Sequence, residues 1–450
     1  MTPGKRTPLR LFTVVALLTS AALLVQAQPR KYDTYSDIKA NPDMAGGVYY
    51  NYEMVDWPCT PAPKGYKPVY INHIGRHGSR YALGEKIYEE MYAFLDKADR
   101  EGKFTPEGQR FLSRYKALYP EVARRAGELT LLGQAQHRFI AAKMYRDYKP
   151  LFKGDTKAQA ISTKIHRVLV SMAAFLDELE DLDAKFDYRM DYGLVYLPFL
   201  EPAYSESPEA IEFKATGQEA EKAYSEMWDK VGIDGIVSRL FSDPEWVEGN
   251  YGKRSFVSDL SVIILDTQCL DSPSDRLDGI LTFDELFAVY EARNLRYYIR
   301  YALSPLGDRA RCLQTYSVVE DFINKADADM ASGQYDMALR FSHDTGLMPL
   351  LSFMGVDGMD VEIEDPAQVK DYWRSLSVPM ACNLQLVLFE NPRSKVPSDK
   401  LLVKCLLNGK EAKLPFEAFK GPFYRWSDFK TYYGKKIEDA KEYLKAYQGK

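Results

Sequence analysis

Short apolar runs followed at once by helix-periodic segments recur along the chain. Three of these runs, rich in β-branched and apolar residues, are typical of buried strands: Pro68–Ile74, Ala158–Thr163 and Met337–Ser342. Helical patterns follow each of them: about Gly84–Arg100, Arg167–Leu179 and Leu347–Met354. Strand, turn and helix in this order predict an α/β fold with a mostly parallel open sheet flanked by helices.

The remaining segments have other patterns. Two apolar runs, Asn383–Phe389 and Leu401–Leu407, are joined by a segment rich in turn formers, so we expect a terminal strand hairpin. Residues 185–335 carry aromatic- and charge-rich helical patterns broken by prolines, and they predict an inserted, mainly helical cap domain. The predicted division is therefore a core in three parts, with helical segments between them: 28–104, 151–184 and 336–450 for the core, 105–150 for helices on the cap side, and 185–335 for the cap.

The first 27 residues differ from the rest. Lys5, Arg6 and Arg10 precede an apolar run from Leu11 to Val25. Ala27 then ends a short pattern of small residues that resembles a signal-peptidase cleavage site. This pattern is typical of a secretory signal peptide cleaved after Ala27. An uncleaved anchor is the alternative, but the run is shorter than the roughly 20 residues that a spanning helix needs. We expect an exported protein, periplasmic or extracellular, without a stable membrane span after cleavage.

Charge narrows the class of partner. The formal net charge is −5, and loss of the three positive charges of the first 27 residues leaves −8. An acidic chain of ordinary globular composition is not expected to bind nucleic acid. An anionic substrate must therefore be held by a local group of basic residues.

The five cysteines leave two alternatives open. Export permits disulfides, and Cys382 and Cys405, on the two predicted hairpin strands, form the pair we expect first. Five buried thiols are the other possibility. Neither C-x-x-C spacing nor an H-E-x-x-H motif is present in the sequence, so we expect no metal site and no cofactor.

One histidine stands where an α/β sheet places its chemistry. His77 follows the first predicted strand and lies between Arg76 and Arg80. Two guanidiniums suit a phosphate dianion, because their planar forks bind oxygens bidentately. They also oppose protonation of the imidazole and keep it nucleophilic. A solvated surface turn is the alternative for the isolated motif.

Three motifs together resemble the histidine phosphatase superfamily, in its acid phosphatase and phytase branch. Arg76-His77-Gly78-Ser79-Arg80 resembles its signature, the segment Thr163–Ser171 resembles its T-x-x-x-R-x-x-x-S element, and His343-Asp344 resembles its His-Asp motif. The resemblance implies that His77 accepts the phosphoryl group. It further implies that Arg76, Arg80, Arg167 and His343 hold the phosphate, and that Asp344 protonates the leaving oxygen.

The other histidines receive simpler interpretations. His73 is expected in the core behind the site, and His137 at the surface or between domains. His166 and Lys164 depart from the acidic residues usual in the family, and with Lys86 they form a candidate rim for further phosphates.

The sequence does not decide which phosphate esters the protein accepts. The segment after Arg80 and the arginine-rich stretch from Leu306 resemble multiple inositol polyphosphate phosphatases and phytases, whereas His343-Asp344 departs from the His-Ala-Glu usual in the former. We therefore expect a small phosphorylated substrate, inositol polyphosphates included. A generalist acid phosphatase, a non-catalytic phosphate-ester-binding module and a mutase-type transferase are the alternatives.

Overall fold

One mixed sheet organises the molecule. The structure, a computed structural model, describes residues 30–84, 86–152, 154–205, 217–271 and 273–448, so the predicted signal peptide lies outside the described residues. The strands are β1 (Lys67–Arg76), β2 (Lys157–Ser162), β3 (Asp187–Tyr192), β4 (Met337–Ser342), β5 (Asn383–Glu390), β6 (Leu401–Leu407), β7 (Lys410–Glu411) and β8 (Phe423–Arg425). Their order is β3-β2-β4-β1-β5-β6-β7, with β8 beside β6.

The sheet has a parallel and an antiparallel half. Strands β3, β2, β4 and β1 are parallel to one another, and β5 to β8 add antiparallel pairs. The α/β class predicted from the sequence is confirmed, and so is the β5–β6 hairpin. Because the carboxyl ends of β1, β2 and β4 meet at one edge, the loops after them form a crevice there.

Helices cover both faces of the sheet. Their bounds are α1 (Thr34–Ala40), α2 (Ile87–Arg100), α3 (Pro106–Val122), α4 (Leu131–Asp147), α5 (His166–Leu182), α6 (Leu197–Leu200), α7 (Gln218–Asp229), α8 (Ile233–Leu240), α9 (Pro244–Asn250), α10 (Lys253–Asp266), α11 (Phe283–Tyr301), α12 (Arg309–Leu313), α13 (Tyr316–Ser332), α14 (Asp344–Met354), α15 (Val369–Tyr372) and α16 (Trp426–Gln448). Helices α7 to α11 form a further layer, which is called the helical layer below. A short 3-10 helix, Pro42–Tyr49, lies between α1 and β1.

Alternation along the strands assigns each face its own core. In β1, Ile71 packs with helices α4 and α5, whereas Tyr70 and Ile74 belong to the larger cluster that α13, α14 and α16 share with the helical layer. This period of two is what a sheet buried on both faces requires.

Several contacts cross the boundaries of the predicted segments, and the division into domains stays a prediction. Helix α4, expected on the cap side, packs against α5, and α13, expected in the cap, packs against β1 and α14. Helices α2 and α3 contact α10 and α8 of the helical layer. Strand β3 lies inside the range expected to be helical, yet it pairs with β2 at the edge of the sheet.

The structure distinguishes between the two alternatives for the cysteines. All five are free in the structure, so the expected Cys382–Cys405 pair is wrong. The hairpin register explains this: Cys405 faces Leu386, four positions beyond Cys382. At ~3.3 Å per residue the two are far outside the roughly 7 Å that a disulfide bridges.

Within the described residues, none of the helices combines the length and the apolar character that crossing a membrane requires.

Candidate active site

The strand ends bring two predicted site histidines, His77 and His343, close together. Arg76 and Ser342, the last residues of β1 and β4, are paired in register. The backbone N–H of His77 then donates to the Ser342 carbonyl at 3.0 Å. The imidazoles of His77 and His343 lie with ring centroids 5.5 Å apart. Residues 266 positions apart in sequence therefore share one crevice because two parallel strands end side by side.

His77 is held with one nitrogen ready for chemistry. Its side chain is buried, and Nδ1 lies 2.9 Å from the carbonyl oxygen of Gly78. A carbonyl only accepts, so Nδ1 carries the proton and Nε2 keeps its lone pair. Burial lowers the pKa of His77 well below its usual value, and the guanidiniums of Arg76 and Arg167 lower it further. The imidazole is thus neutral at neutral pH, and Nε2 is available as a nucleophile.

Close backbone packing fixes the loop after His77. A Cβ on Gly78 would lie 2.3 Å from the Gly133 carbonyl oxygen, and a Cβ on Gly133 would lie 2.2 Å from the Ser79 carbonyl oxygen. Only glycine tolerates such an approach. Thr130, which caps α4, donates to the same Ser79 oxygen at 2.9 Å, and Gln136 accepts from the Ser79 N–H at 2.8 Å.

Arg76 and Arg80 are fully buried, and polar contacts within the protein hold each guanidinium in place. Nη1 of Arg76 donates to the carbonyl oxygens of Val48 and Val378, at 2.6 and 3.0 Å. Nη1 of Arg80 lies 3.3 Å from a carboxylate oxygen of Asp266, which is itself fully buried. These contacts set the direction of each guanidinium before any ligand binds.

The Thr163–Ser171 motif has a separate task at each fixed position. The hydroxyl of Thr163 lies 3.1 Å from Nε2 of His343. Arg167 lies in the first turn of α5, and Ser171 donates to its carbonyl oxygen at 2.8 Å while accepting from the Gly78 N–H at 3.1 Å. One turn of helix therefore ties the loop of His77 to the segment that carries Arg167.

The three arginines keep donors for an anion. Among the described residues, buried guanidinium nitrogens without a hydrogen-bond partner occur in all three: Nε and Nη2 of Arg76, Nε of Arg80 and Nε of Arg167. Buried donors need a partner, and phosphate oxygens are the acceptors that guanidiniums bind best. Burial lowers the pKa of Arg167 to about 10, with help from the charge of Arg80, so it still carries its charge at neutral pH.

His343 and Asp344 open helix α14. His343 is its N-cap residue and Asp344 its first residue, so the helix N-terminus faces the crevice and favours negative charge there. Burial lowers the pKa of His343 to about 3, reinforced by Arg167. Burial raises the pKa of Asp344, but the guanidiniums of Arg76 and Arg80 outweigh it, and the net shift is downward.

The other two interior histidines lie behind this group. His73 is fully buried between Phe175 and Phe341, at centroid distances of 5.0 and 5.6 Å, as expected from the sequence. His137 is also fully buried, with Nε2 3.1 Å from the Arg76 carbonyl oxygen, so of the two expected positions the one at the surface is wrong. It lies on the face of α4 that meets the strand end, where helix periodicity alone does not distinguish core from solvent.

Two carboxylates of the site were not predicted. Asp266 ends the apolar run of α10, and a lone carboxylate in such a run was the available signal. Glu201 lies 4.0 Å from Nε2 of His343 and accepts a hydrogen bond from Thr345. Burial raises its pKa to about 7. No motif marks Glu201 in the sequence.

The predicted rim residues Lys86, Lys164 and His166 are exposed. Lys86 precedes α2, and the other two lie at the start of α5, beside Arg167. Their part in binding stays a prediction. In the described part of the chain, no group of three or more His, Cys, Asp or Glu residues is arranged to hold a metal ion.

Comparisons with known proteins define the class. Residues 70–408 match the family model of the histidine phosphatase superfamily (branch 2). This match covers most of the chain, so the chain belongs to the histidine phosphatase superfamily, branch 2, as its three motifs indicate. It is a phosphoric monoester hydrolase by family. No curated protein sequence matches it significantly.

Several solved structures share the fold. The multiple inositol polyphosphate phosphatase of Bifidobacterium longum, in complex with inositol hexasulfate, is 16% identical, with a TM-score of 0.68 over 88% of this chain and 98% of that chain. The phytase from D. castellii is 14% identical, with a TM-score of 0.65 over 88% and 85%. At such identities the likeness establishes the fold of the chain.

Proposed function

We propose that the chain hydrolyses phosphate monoesters through a phosphohistidine on His77, with inositol polyphosphates among its substrates. The observation that carries this proposal is the geometry of His77. Its Nδ1 proton is held by the Gly78 carbonyl, and its free Nε2 belongs to a neutral ring among three guanidiniums. Phosphoryl transfer needs little from a protein beyond such positioning and charge stabilisation.

In the first step, Arg76, Arg80, Arg167 and His343 hold the phosphate oxygens. Nε2 of His77 attacks phosphorus, the P–N bond forms, and the bond to the ester oxygen breaks. Asp344 gives its proton to that departing oxygen. The bound dianion offsets part of the field of the guanidiniums, so the pKa of Asp344 rises in the complex and a proton is present to give.

In the second step, water attacks the phosphohistidine. Asp344, now ionised, takes a proton from the water as the new P–O bond forms and the P–N bond breaks. Inorganic phosphate leaves, and His77 returns to its neutral form with the Nδ1 proton in place. Each step uses only side chains of this chain.

Inositol polyphosphates are proposed on two grounds. The mature chain is acidic, yet its crevice collects Arg76, Arg80 and Arg167, with Lys86, Lys164 and His166 as candidate rim. Local fields of this kind attract polyanions even to an acidic protein. The fold is also shared with a phosphatase whose structure contains inositol hexasulfate.

Release of inorganic phosphate tests the proposal. Purified protein is incubated with inositol hexakisphosphate and with 4-nitrophenyl phosphate, each with and without EDTA. We expect hydrolysis of both, unchanged by EDTA, because guanidinium and imidazole groups supply the charge that metal ions supply elsewhere. Hydrolysis of the aryl ester alone would favour a generalist acid phosphatase, and binding without release would favour a non-catalytic module.

Export is part of the same proposal. It rests on residues 1–27 of the sequence, which lie outside the described residues. N-terminal sequencing of the protein from cell fractions tests it, and we expect a mature form that begins at Gln28 outside the cytoplasm. A full-length form in the membrane fraction would identify an anchor instead.

A further inference from the structure

A lysine is buried at an apolar position of the sheet. Lys404, in β6, is 1% exposed. Its neighbours on the same face of the strand, Leu402 and Leu406, belong to the hydrophobic cluster that α4 and α5 share with the sheet. A lysine is rarely buried so completely unless its ammonium group has polar partners. Two of these partners come from the irregular segment between the 3-10 helix and β1.

The first partner is a thiol. Nζ of Lys404 lies 2.7 Å from Sγ of Cys59 and donates to the Thr60 carbonyl oxygen at 3.0 Å. The hydroxyl of Tyr148 lies 3.5 Å from the same sulfur. A carboxylate oxygen of Glu411 lies 3.6 Å from Nζ and balances its charge. The fold therefore holds an amine nitrogen against a sulfur that is 345 positions away in sequence.

Small molecules can reach this pair through a cavity. The cavity has a volume of about 490 Å³, and both Cys59 and Lys404 line it. Lys67, the first residue of β1, also lines it, so it lies at the opposite end of that strand from His77. Its volume exceeds the ~30 Å³ that one water molecule occupies in the liquid by more than tenfold. Cys59 itself is half-buried.

The other four cysteines lack these properties. Cys269, Cys312, Cys382 and Cys405 are fully buried, and burial raises the pKa of each of their thiols. Thiols of that kind are inert, whereas reactive cysteines are partly exposed and lie beside a cation. Among the five cysteines, Cys59 is the one that meets both conditions.

We propose that Cys59 and Lys404 form a redox-sensitive modification site, at which a hydroperoxide oxidises the thiol and the lysine amine then captures the sulfur in a covalent S–N bond. Hydrolysis at His77 takes no part in this reaction. The alternative is that Cys59 only accepts a hydrogen bond from the buried ammonium group.

The reaction has two steps. The sulfur of Cys59 attacks one oxygen of hydrogen peroxide, the O–O bond breaks, and a sulfenic acid and water form. Nζ of Lys404 then attacks Sγ, so that the S–N bond forms and the S–O bond breaks. The ammonium group loses two protons, one to the departing hydroxide, which leaves as water, and one to solvent. The sulfur loses two electrons in total, and one peroxide is reduced to two waters.

The new bond would tie the segment before β1 to the middle of the sheet. It would close a covalent loop between positions 59 and 404, and a cross-link over such a distance restricts the unfolded chain. We therefore expect the oxidised protein to melt several degrees above the reduced protein.

Peptide mass spectrometry of the full chain tests the inference. Reduced protein is treated with hydrogen peroxide, denatured, capped with N-ethylmaleimide and digested with a protease that cleaves at glutamate. We expect the peptides of Cys59 and Lys404 to be joined, with a mass about 2 Da below their sum because two hydrogens are lost. Dithiothreitol should separate them and return the melting temperature to that of the reduced protein.

Three variants serve as controls. Cys59→Ser keeps a hydrogen-bond acceptor without a thiol, and Lys404→Arg keeps the charge without a nucleophilic amine, so neither should form the link. Lys404→Arg should instead stop at the sulfenic acid, which dimedone traps. Cys312→Ser removes a buried thiol that donates to the Pro349 carbonyl, a bond that a hydroxyl can replace, and it should form the link as the wild type does.

Three results with the wild type would overturn the inference, whether or not Lys404→Arg folds. Cys59 could stay reduced at peroxide concentrations that oxidise exposed methionines, which would show an inert thiol. It could gain oxygen with no link to Lys404, which would show that the amine does not capture the sulfur. A joined pair that retains the peroxide oxygen would show an S–O–N bridge and contradict the second step.

Discussion

Nη2 of Arg76 lies 3.4 Å from a carboxylate oxygen of Asp344, so the predicted phosphate ligand and the predicted general acid are in contact before substrate binds. This contact keeps Asp344 ionised in the free protein. A phosphate that engages the free nitrogens of Arg76 weakens the contact and raises the pKa of Asp344. We therefore expect substrate binding to prepare Asp344 as the acid.

The first prediction concerns this acid. Asp344→Asn should lower kcat for alkyl phosphates about 100-fold or more, because their poor leaving groups need a proton. Activated aryl phosphates should lose far less. The measurement is a plot of log kcat against leaving-group pKa, which should be steeper for the variant. Parallel plots would indicate a positioning role for Asp344.

The second prediction concerns the glycine contact behind His77. Gly133→Ala should lower kcat/KM about tenfold or more, because a Cβ 2.2 Å from the Ser79 carbonyl oxygen must displace the loop that carries His77 and Arg80. Gly235→Ala is the control, since nothing lies within 4 Å of its Cβ position in α8. Equal activities of the two variants would mean that the loop is not held by this contact.

The third prediction concerns stability in acid. Four buried histidines have lowered pKa values: His73 and His343 to about 3, His137 to about 4, and His77 well below its usual value. Between pH 6.5 and these values the unfolded chain binds protons that the folded chain does not, so stability is full above pH 6.5 and falls with pH below it.

His73→Met isolates one share of this effect. The variant should reduce the slope of unfolding free energy against pH between pH 4 and 6 by up to about 1.4 kcal/mol per pH unit. Denaturant unfolding at several pH values gives this slope. An unchanged slope would mean that His73 titrates alike in both states, and Tyr443→Met, at an exposed position of α16, controls for the substitution itself.

The fourth prediction concerns the rim. The double variant Lys86→Gln, Lys164→Gln should raise KM for inositol hexakisphosphate more than KM for 4-nitrophenyl phosphate, and the difference should shrink as salt rises. Lys395→Gln with Lys400→Gln removes equal charge beside the β5–β6 connection, at the opposite end of β1 from His77. If both double variants behave alike, the rim lysines are ordinary surface residues.

Most of the fold and the site that could be predicted came from short continuous stretches of sequence. The strands before His77, Thr163 and His343 are apolar because they are buried on both faces, and the motif residues follow them directly. Parallel strand ends then bring those residues together. Strand β3 escaped prediction because this edge strand, Asp187–Tyr192, has no buried residue and mixes charged residues with methionine and tyrosine, so it lacks a continuous apolar run.

Contacts between segments far apart in sequence were not predicted, for another reason. Asp266 comes from the helical layer, and Glu201 has no motif. Their positions depend on how helices pack against the sheet, which periodicity does not specify. The Cys382–Cys405 pair failed likewise, because hairpin register sets which residues face each other.

The most direct test of the account is the site of the covalent intermediate. Wild-type protein is mixed with ³²P-labelled substrate, stopped during turnover and digested, and the phosphorylated peptide is sequenced. We predict acid-labile label at Nε2 of His77 and none in His77→Ala, which should fold with the wild-type melting temperature but not turn over. Label on another residue, or turnover by His77→Ala, would contradict the central claim.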